Sequence, residues 1–282
     1  MAVDGFIPEV WSAQLLDSLK KSLVFAGPGV VNRNYEGEIA NFGDTVRITA
    51  VSRPTVATYT KNSTSIVPET LTDAQRVLLI DQAKYFSFEI DDIDMRQARD
   101  GGALLDQAAV EAGYALANVA DQYVAAMYSE VASANAITTT SITSASTAVT
   151  GLVNLKVKLD NANVPNEGRY VVLTPWYHGL LLQSDTFVRV DASGTSEALR
   201  NGFVGRAFGF DVYVSNNCVN VTGDDWIIQA GVPGAISYAE QINKVEAYRP
   251  PDAFSDALKG LHLYGAKVIR PDAFATLTAS IT

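Results

Sequence analysis

One cysteine, Cys218, and two histidines, His178 and His262, are all that this 282-residue chain offers of the side chains that most often carry chemistry. A single cysteine excludes an internal disulfide framework. Neither histidine has a second His or Cys at metal-ligand spacing. There is no Gly-x-Ser-x-Gly elbow and no Gly-x-x-x-x-Gly-Lys-Ser/Thr phosphate loop. Gly202, Gly205 and Gly209 do not have the dinucleotide spacing, and they precede a strand instead of joining a strand to a helix. Asp91, Asp92 and Asp94 cluster, but a calcium loop would need an oxygen ligand where Arg96 stands. Carboxylates there suit the start of a helix instead. Positive charge is also scarce: 21 Lys and Arg against 31 Asp and Glu leave a net charge of −10. That excludes wrapping of nucleic acid, which needs clustered cations. No run of about 18 apolar residues is present to span a membrane. The start, Met-Ala-Val-Asp-Gly-Phe, has no basic region, apolar core or cleavage site, so no signal peptide is expected. The glycosylation patterns at Asn62 and Asn220 are then chance matches. No catalytic, cofactor-binding or metal-binding residue is expected.

Proline is missing from the whole stretch between Pro68 and Pro165, and there the sequence builds its largest element. Leu105, Ala109, Ala112, Leu116, Val119, Tyr123, Met127 and Val131 recur in steps of three and four, one face of an α-helix. Asp106, Gln107, Glu111, Asn118, Asp121 and Gln122 fall on the opposite side. Such a helix runs roughly 40 Å. Gly101-Gly102 marks its entry, with Asp100 or Asp91 as a possible N-cap. Before it, residues 8–25 predict a short amphipathic helix stopped by Gly27-Pro28-Gly29, and Asn32–Phe42 an irregular arm. Val46, Ile48 and Ala50 alternate with polar neighbours, and Phe86, Phe88 and Ile90 do so on an expected return strand, Lys84–Ile90. The intervening residues hold a polar tip, Thr60–Ser65, and an apolar run, Val77–Ile80. A two-stranded excursion this long, with so few core residues, wants a partner surface.

After the helix, residues 132–148 read as a loop or a weakly paired strand. Thr147 or Thr150 caps a second helix with Leu152, Leu155 and Leu159 inward. Arg169–Thr174 is a nearly continuous apolar strand, as expected where both faces are covered. Pro175 opens a short helix over Trp176–Gln183. Further strands are expected at Phe210–Ser215, Asp225–Gln229, Ala235–Ala239, Lys244–Tyr248 and Leu261–Arg270, with a Gly-Val-Pro-Gly turn joining the second and third. Strands and helices alternate without a strict βαβ rhythm, so the class is α+β. At 282 residues and 48% hydrophobic, the chain can form one large domain or two interlocked ones.

The order of these parts resembles the major capsid proteins of tailed double-stranded DNA phages, with the Hong Kong 97 shell fold. The quoted signatures are Gly-Asp-Thr-Val-Arg-Ile from Gly43, Phe-Glu-Ile-Asp-Asp-Ile-Asp from Phe88, and Tyr-Val-Val-Leu-Thr-Pro from Tyr170. To these are added Gly-x-x-x-Gly-Phe-x-Val-x-x-Ser-Asn from Gly205 and Gly-Ala-Lys-Val-Ile-Arg-Pro-Asp from Gly265. The resemblance implies an N-terminal arm at 1–42 and an extended β-hairpin loop at 43–90. It implies a peripheral domain with a long spine helix at 91–135, an axial domain at 136–242 and peripheral return strands at 243–282. It implies self-association into pentamers and hexamers of an icosahedral shell that encloses DNA without sequence-specific binding. Assembly would take place in the host cytoplasm, with a portal and a decoration protein as candidate partners; since this chain begins at the arm, the resemblance implies a separate scaffolding protein, or none. The family's founder links a loop lysine to a neighbour's asparagine. Lys61 stands in a comparable place, but Pro250–Lys259 offers no asparagine, so no cross-link is expected. The alternatives are an encapsulin-type compartment on the same fold, and a hydrolase using His178 with a distant carboxylate.

Overall fold

A computed structural model of the chain describes residues 24–35, 45–51, 56–61, 73–91, 101–184, 203–251 and 254–282. The expected helix at 8–25, the acidic pair Asp92 and Asp94, and Gly194 and Gly202 lie outside these, apart from Val24 and Phe25, which sit in a bend and a turn. The class is α+β: the described residues form sheets of two, three and seven strands, and one core cluster joins the long helix to the two larger sheets.

The long helix, α1, spans Gly101–Ala125 and tightens into a 3-10 turn at Ala126–Glu130. Its buried face runs through Gly113, Leu116, Ala117, Ala120, Asp121 and Val124. Of the expected face, Leu116 is buried and Ala109, Tyr123, Met127 and Val131 pack against the core, but Val119 turns outward and Asp121, expected on the polar side, turns inward. Val119 is 38% exposed, while Ala117 and Ala120 are fully buried. Alanines let the helix axis approach the sheets closely, so the seam follows the small residues and carries the polar Asp121 inward with them.

Under α1 lies a three-stranded antiparallel sheet, β3 (Gln82–Asp91), β11 (Ser255–Val268) and β10 (Ile236–Tyr248), with β11 central. The strand expected to return the loop, Lys84–Ile90, is therefore paired to β11 and not to the strand after Gly43. The partner of β1 (Thr45–Val51) is instead β2 (Asp73–Leu79), in register from Thr45 opposite Leu79 to Val51 opposite Asp73. Ala235–Ala239 and Lys244–Tyr248, expected as two strands, are one strand with a register shift between Ile242 and Lys244.

The second sheet has seven strands. They are β4 (Ala136–Ser141), β5 (Tyr170–Leu173), β6 (Phe203–Ala207), β7 (Phe210–Val214), β8 (Asn220–Thr222), β9 (Asp225–Gly231) and β12 (Phe274–Ser280), in the order β4-β12-β9-β5-β7-β6 with β8 beside β9. β12 has no counterpart in the sequence reading, although it sits between β4 and β9. The Gly-Val-Pro-Gly turn does not close a hairpin; it carries the chain from β9 in this sheet to β10 in the other. All four residues of β5 are buried because both faces are covered. Val171 and Leu173 meet Leu152, Leu155 and Leu159 of α2 (Ala145–Asn161) and Tyr177 and Leu181 of α3 (Pro175–Leu182). Tyr170 and Val172 face α1. The N-cap of α2 is Ser144, and Thr147 closes the reciprocal capping box from three residues on.

The glycine-rich signature from Gly205 is the β6–β7 hairpin. Its two-residue loop, Phe208-Gly209, has φ of 53° and 84°, the left-handed pair that matches strand twist. Arg206 and Asp211, opposite in register, bond at 2.8 Å.

Candidate assembly surfaces

Chemistry that is written nowhere in the sequence could still be assembled by the fold, so the titratable groups come first. Among the described residues no three of His, Cys, Asp and Glu gather as a metal site, and no helix is long and apolar enough to cross a membrane. His178 is half-buried on α3 beside Trp176 and Tyr177. His262 is fully buried on β11, 5.0 Å from the Tyr264 ring. Glu240 Oε2 lies 3.4 Å from its Nε2, but that oxygen already accepts from Tyr238 Oη at 2.7 Å, and Glu240 Oε1 accepts from Arg33. Burial, and then the Arg33 charge, push the imidazole down to about 4. Cys218 is buried, and burial pushes its thiol up to about 12, so it is not a nucleophile at neutral pH.

Three buried polar side chains that the sequence reading did not single out as structural anchors hold the frame. Arg169 donates to Pro165 O at 2.8 Å, Val164 O at 2.5 Å and Asp160 Oδ1 at 2.7 Å, which ties the loop after α2 to the foot of β5. Gln229 Nε2 donates to Ala125 O at 2.6 Å, joining β9 to the end of α1. Asp121 accepts from the chain before β1, as described below. Arg169 and Gln229 bound apolar strand runs, a departure that burial makes costly unless it is bonded, whereas Asp121 sits on the helix side expected to be polar and carries no such signal.

The outward-facing features are of another kind. The β1–β2 ladder is rooted at its near end. Leu78 and Ile80 are buried against Ala239 and Leu263, and Arg76 Nη1 donates to Val268 O at 3.1 Å. A Cβ on Gly265 would stand 2.2 Å from Leu79 O, so β11 and the end of β2 touch backbone to backbone. At the far end everything described, residues 56–61, is exposed, with Val56 at 95% and Tyr59 at 63%. Lys61 stands there, exposed. On the three-stranded sheet, Tyr85, Leu261, Lys259 and Glu246 rim an open groove of about 440 Å³ floored by Gly260 and Phe86. Lys259 bonds Glu246 at 2.9 Å and lies 4.9 Å from the Tyr248 ring centre. Tyr85 is 78% exposed and Phe254, in the turn before β11, 80%.

The phage capsid protein family model matches residues 75–277. A solved structure from Mycobacterium phage Che8 is 34% identical, with 98% of each chain covered and a TM-score of 0.74. The capsid structure of the cyanophage P-SCSP1u is 19% identical over 93% of this chain and 90% of its own, with a TM-score of 0.69. The holo-SrpI encapsulin complex from Synechococcus elongatus is 12% identical over 86% and 85%, with a TM-score of 0.61, a likeness of fold. No curated protein matches the chain.

Proposed function

We infer how this chain works from one premise: it belongs to the phage capsid protein family. It is a major capsid protein, a structural subunit of a bacteriophage shell, and such subunits self-assemble into oligomeric shells. Membership of a structural family argues for a non-enzymatic role.

The finer reading is that the β1–β2 loop is the reach of one subunit onto another. The observation that carries it is the contrast along that loop, rooted at Gly265 and Leu78 and wholly exposed at Val56–Lys61. An isolated two-stranded ribbon is marginal in water, so its far end is completed by a second copy. The parts named from the resemblance would be the arm, the extended loop, a peripheral domain around α1 and the three-stranded sheet, and an axial domain around the seven-stranded sheet, with Ile236–Ile242 of β10 moved from the expected axial range to the peripheral sheet and β12 moved from the expected peripheral range to the axial sheet. The loop would end after β2, because β3 already pairs with β11. Copies would group as pentamers and hexamers of an icosahedral shell, assembled in the host cytoplasm with separate scaffolding, portal and decoration proteins. The net charge of −10 suits an inner wall that encloses DNA without gripping it. Pro250–Lys259 holds no asparagine for Lys61 to link to.

Replacing both Val56 and Tyr59 by aspartate tests the loop. Electron microscopy should show shells for the parent chain and none for the variant, with an unchanged circular dichroism spectrum. Shells of normal yield from the variant would refute the contact. DNA within parent particles, against a packaged protein, separates a phage shell from an encapsulin compartment.

A further inference from the structure

Residues Val24–Tyr35 form a strap across three elements, and its two ends are held by unrelated contacts. At the first end Phe25 and Ala26 are fully buried in the core cluster, and a single side chain takes their backbone amides. Asp121, on the buried face of α1, accepts at Oδ1 from the backbone N–H groups of Val24, Phe25 and Ala26 at 3.0, 2.6 and 3.2 Å. Its Oδ2 accepts from Asn217 Nδ2 at 2.9 Å, in the loop after β7. Three successive amides converging on one oxygen make an anion-holding concavity. Here the anion belongs to the chain itself. At the second end, Asn32 N donates to Ile236 O at 2.9 Å and Asn32 O accepts from Tyr238 N at 3.0 Å, while Arg33 bonds Glu240. Between the ends lies the turn Gly27-Pro28-Gly29. A Cβ on Gly29 would stand 2.2 Å from Tyr213 Oη, so a larger residue there would displace the tip of that side chain where the turn lies against β7.

We propose that Asp121 is a releasable latch, which holds Val24–Ala26 against α1 and Asn217 and whose loss opens that end alone, pivoting at Gly27–Gly29 while Asn32 and Arg33 stay on β10. The division follows from the contacts, because no bond at the second end passes through Asp121. The four bonds to the carboxylate come from neutral donors, so its charge is shared but not cancelled. Burial pushes the carboxyl above its ordinary range, while Asn217 and the three amides pull the other way. The titratable neighbour is the buried Cys218 thiol, whose own deprotonation the Asp121 charge opposes. The consequence for a shell rests on the family reading above: the latch fixes Val24–Ala26 on the body of the subunit.

Hydrogen exchange on the full-length, unassembled subunit tests the latch without requiring a shell. In Asp121→Ala the amides of Val24, Phe25 and Ala26 should exchange about ten- to a hundredfold faster, as expected when three buried donors lose a charged acceptor. Those of Asn32 and Tyr238 should keep their rates. Asp121→Asn keeps the shape and one oxygen for the three amides but loses the charge; it should give an intermediate acceleration confined to the same three amides. Unchanged protection at Val24–Ala26 overturns the proposal. So does a uniform acceleration across the strap and β10 in both variants, which would make Asp121 an ordinary core residue. In particles, chymotrypsin should cut at Phe25 faster in Asp121→Asn than in the parent; equal rates there would sink the consequence for the shell while leaving the exchange result to decide the latch.

Discussion

His262 shows how a side chain that often signals catalysis becomes a purely structural liability. Its ring is fully buried between the arm's Arg33 and the aromatic pair Tyr264 and Tyr238, and it is held neutral with a pKa lowered to about 4 from an ordinary 6.5. The unfolded chain therefore takes up a proton at this residue before the folded chain does. Stability from keeping His262 neutral is fully present above pH 6.5 and is lost as pH falls toward 4, by about 3 kcal/mol across that window. Urea unfolding at a series of pH values should show this limb, and His262→Gln should flatten it. A parent and variant with parallel acid limbs would assign the loss to carboxylates instead.

At the scale of elements, two glycines separate packing from backbone strain. Gly265 has an ordinary backbone, but a Cβ there meets Leu79 O at 2.2 Å and Leu79 C at 3.0 Å. Backbone cannot swing aside as a side chain can, so Gly265→Ala must push β2 off β11, at roughly 1–3 kcal/mol. Gly209 has the opposite problem. It has open space beside it but φ at +84°, and Gly209→Ala should cost about 1–2 kcal/mol through conformation alone. Hydrogen exchange distinguishes them: the first should loosen Leu78 and Ile80, the second only the β6–β7 hairpin. Strand identity of this kind was legible where a period ran unbroken. The α2 leucines, the four-residue β5 and Pro175 at the start of α3 all stand as the alternation and the proline predicted. Strand partners were not legible. The Phe86-Phe88-Ile90 alternation names a half-buried strand but cannot say that its neighbour is β11, more than 160 residues later, in place of β1. β12 escaped because Phe-Ala-Thr-Leu-Thr-Ala-Ser is buried on both faces and spends small residues on each, leaving no contrast to read. Asp121 and Arg169 escaped for a related reason: a charge on the polar side of a helix, or at the start of a strand, reads as solvent-facing until its hydrogen-bond partners are known.

For the whole molecule, the balance of interest lies between contacts that draw copies together and a charge of −10 that drives them apart. The contact residues proposed for the shell are aromatic and aliphatic, with Val56, Tyr59, Tyr85 and Phe254 all exposed. Their attraction is short-ranged and survives salt, since apolar burial is not an ionic effect. Repulsion between like-charged subunits is long-ranged and is screened within about 10 Å at 0.1 M salt and about 3 Å at 1 M. Raising sodium chloride from about 0.05 M to about 1 M should therefore lower the subunit concentration at which shells appear by light scattering, while leaving the melting temperature of the unassembled subunit nearly unchanged. The opposite trend, dissolution of shells by salt, would mean that ion pairs such as Lys61 with a neighbour's carboxylate carry the interface, and that the exposed aromatics serve some other contact. Charge removal by mutation gives the same discrimination without salt: exchanging exposed acids for their amides away from the loop and groove should favour assembly if repulsion is the opposing force, and should leave it untouched if paired ions hold the copies together.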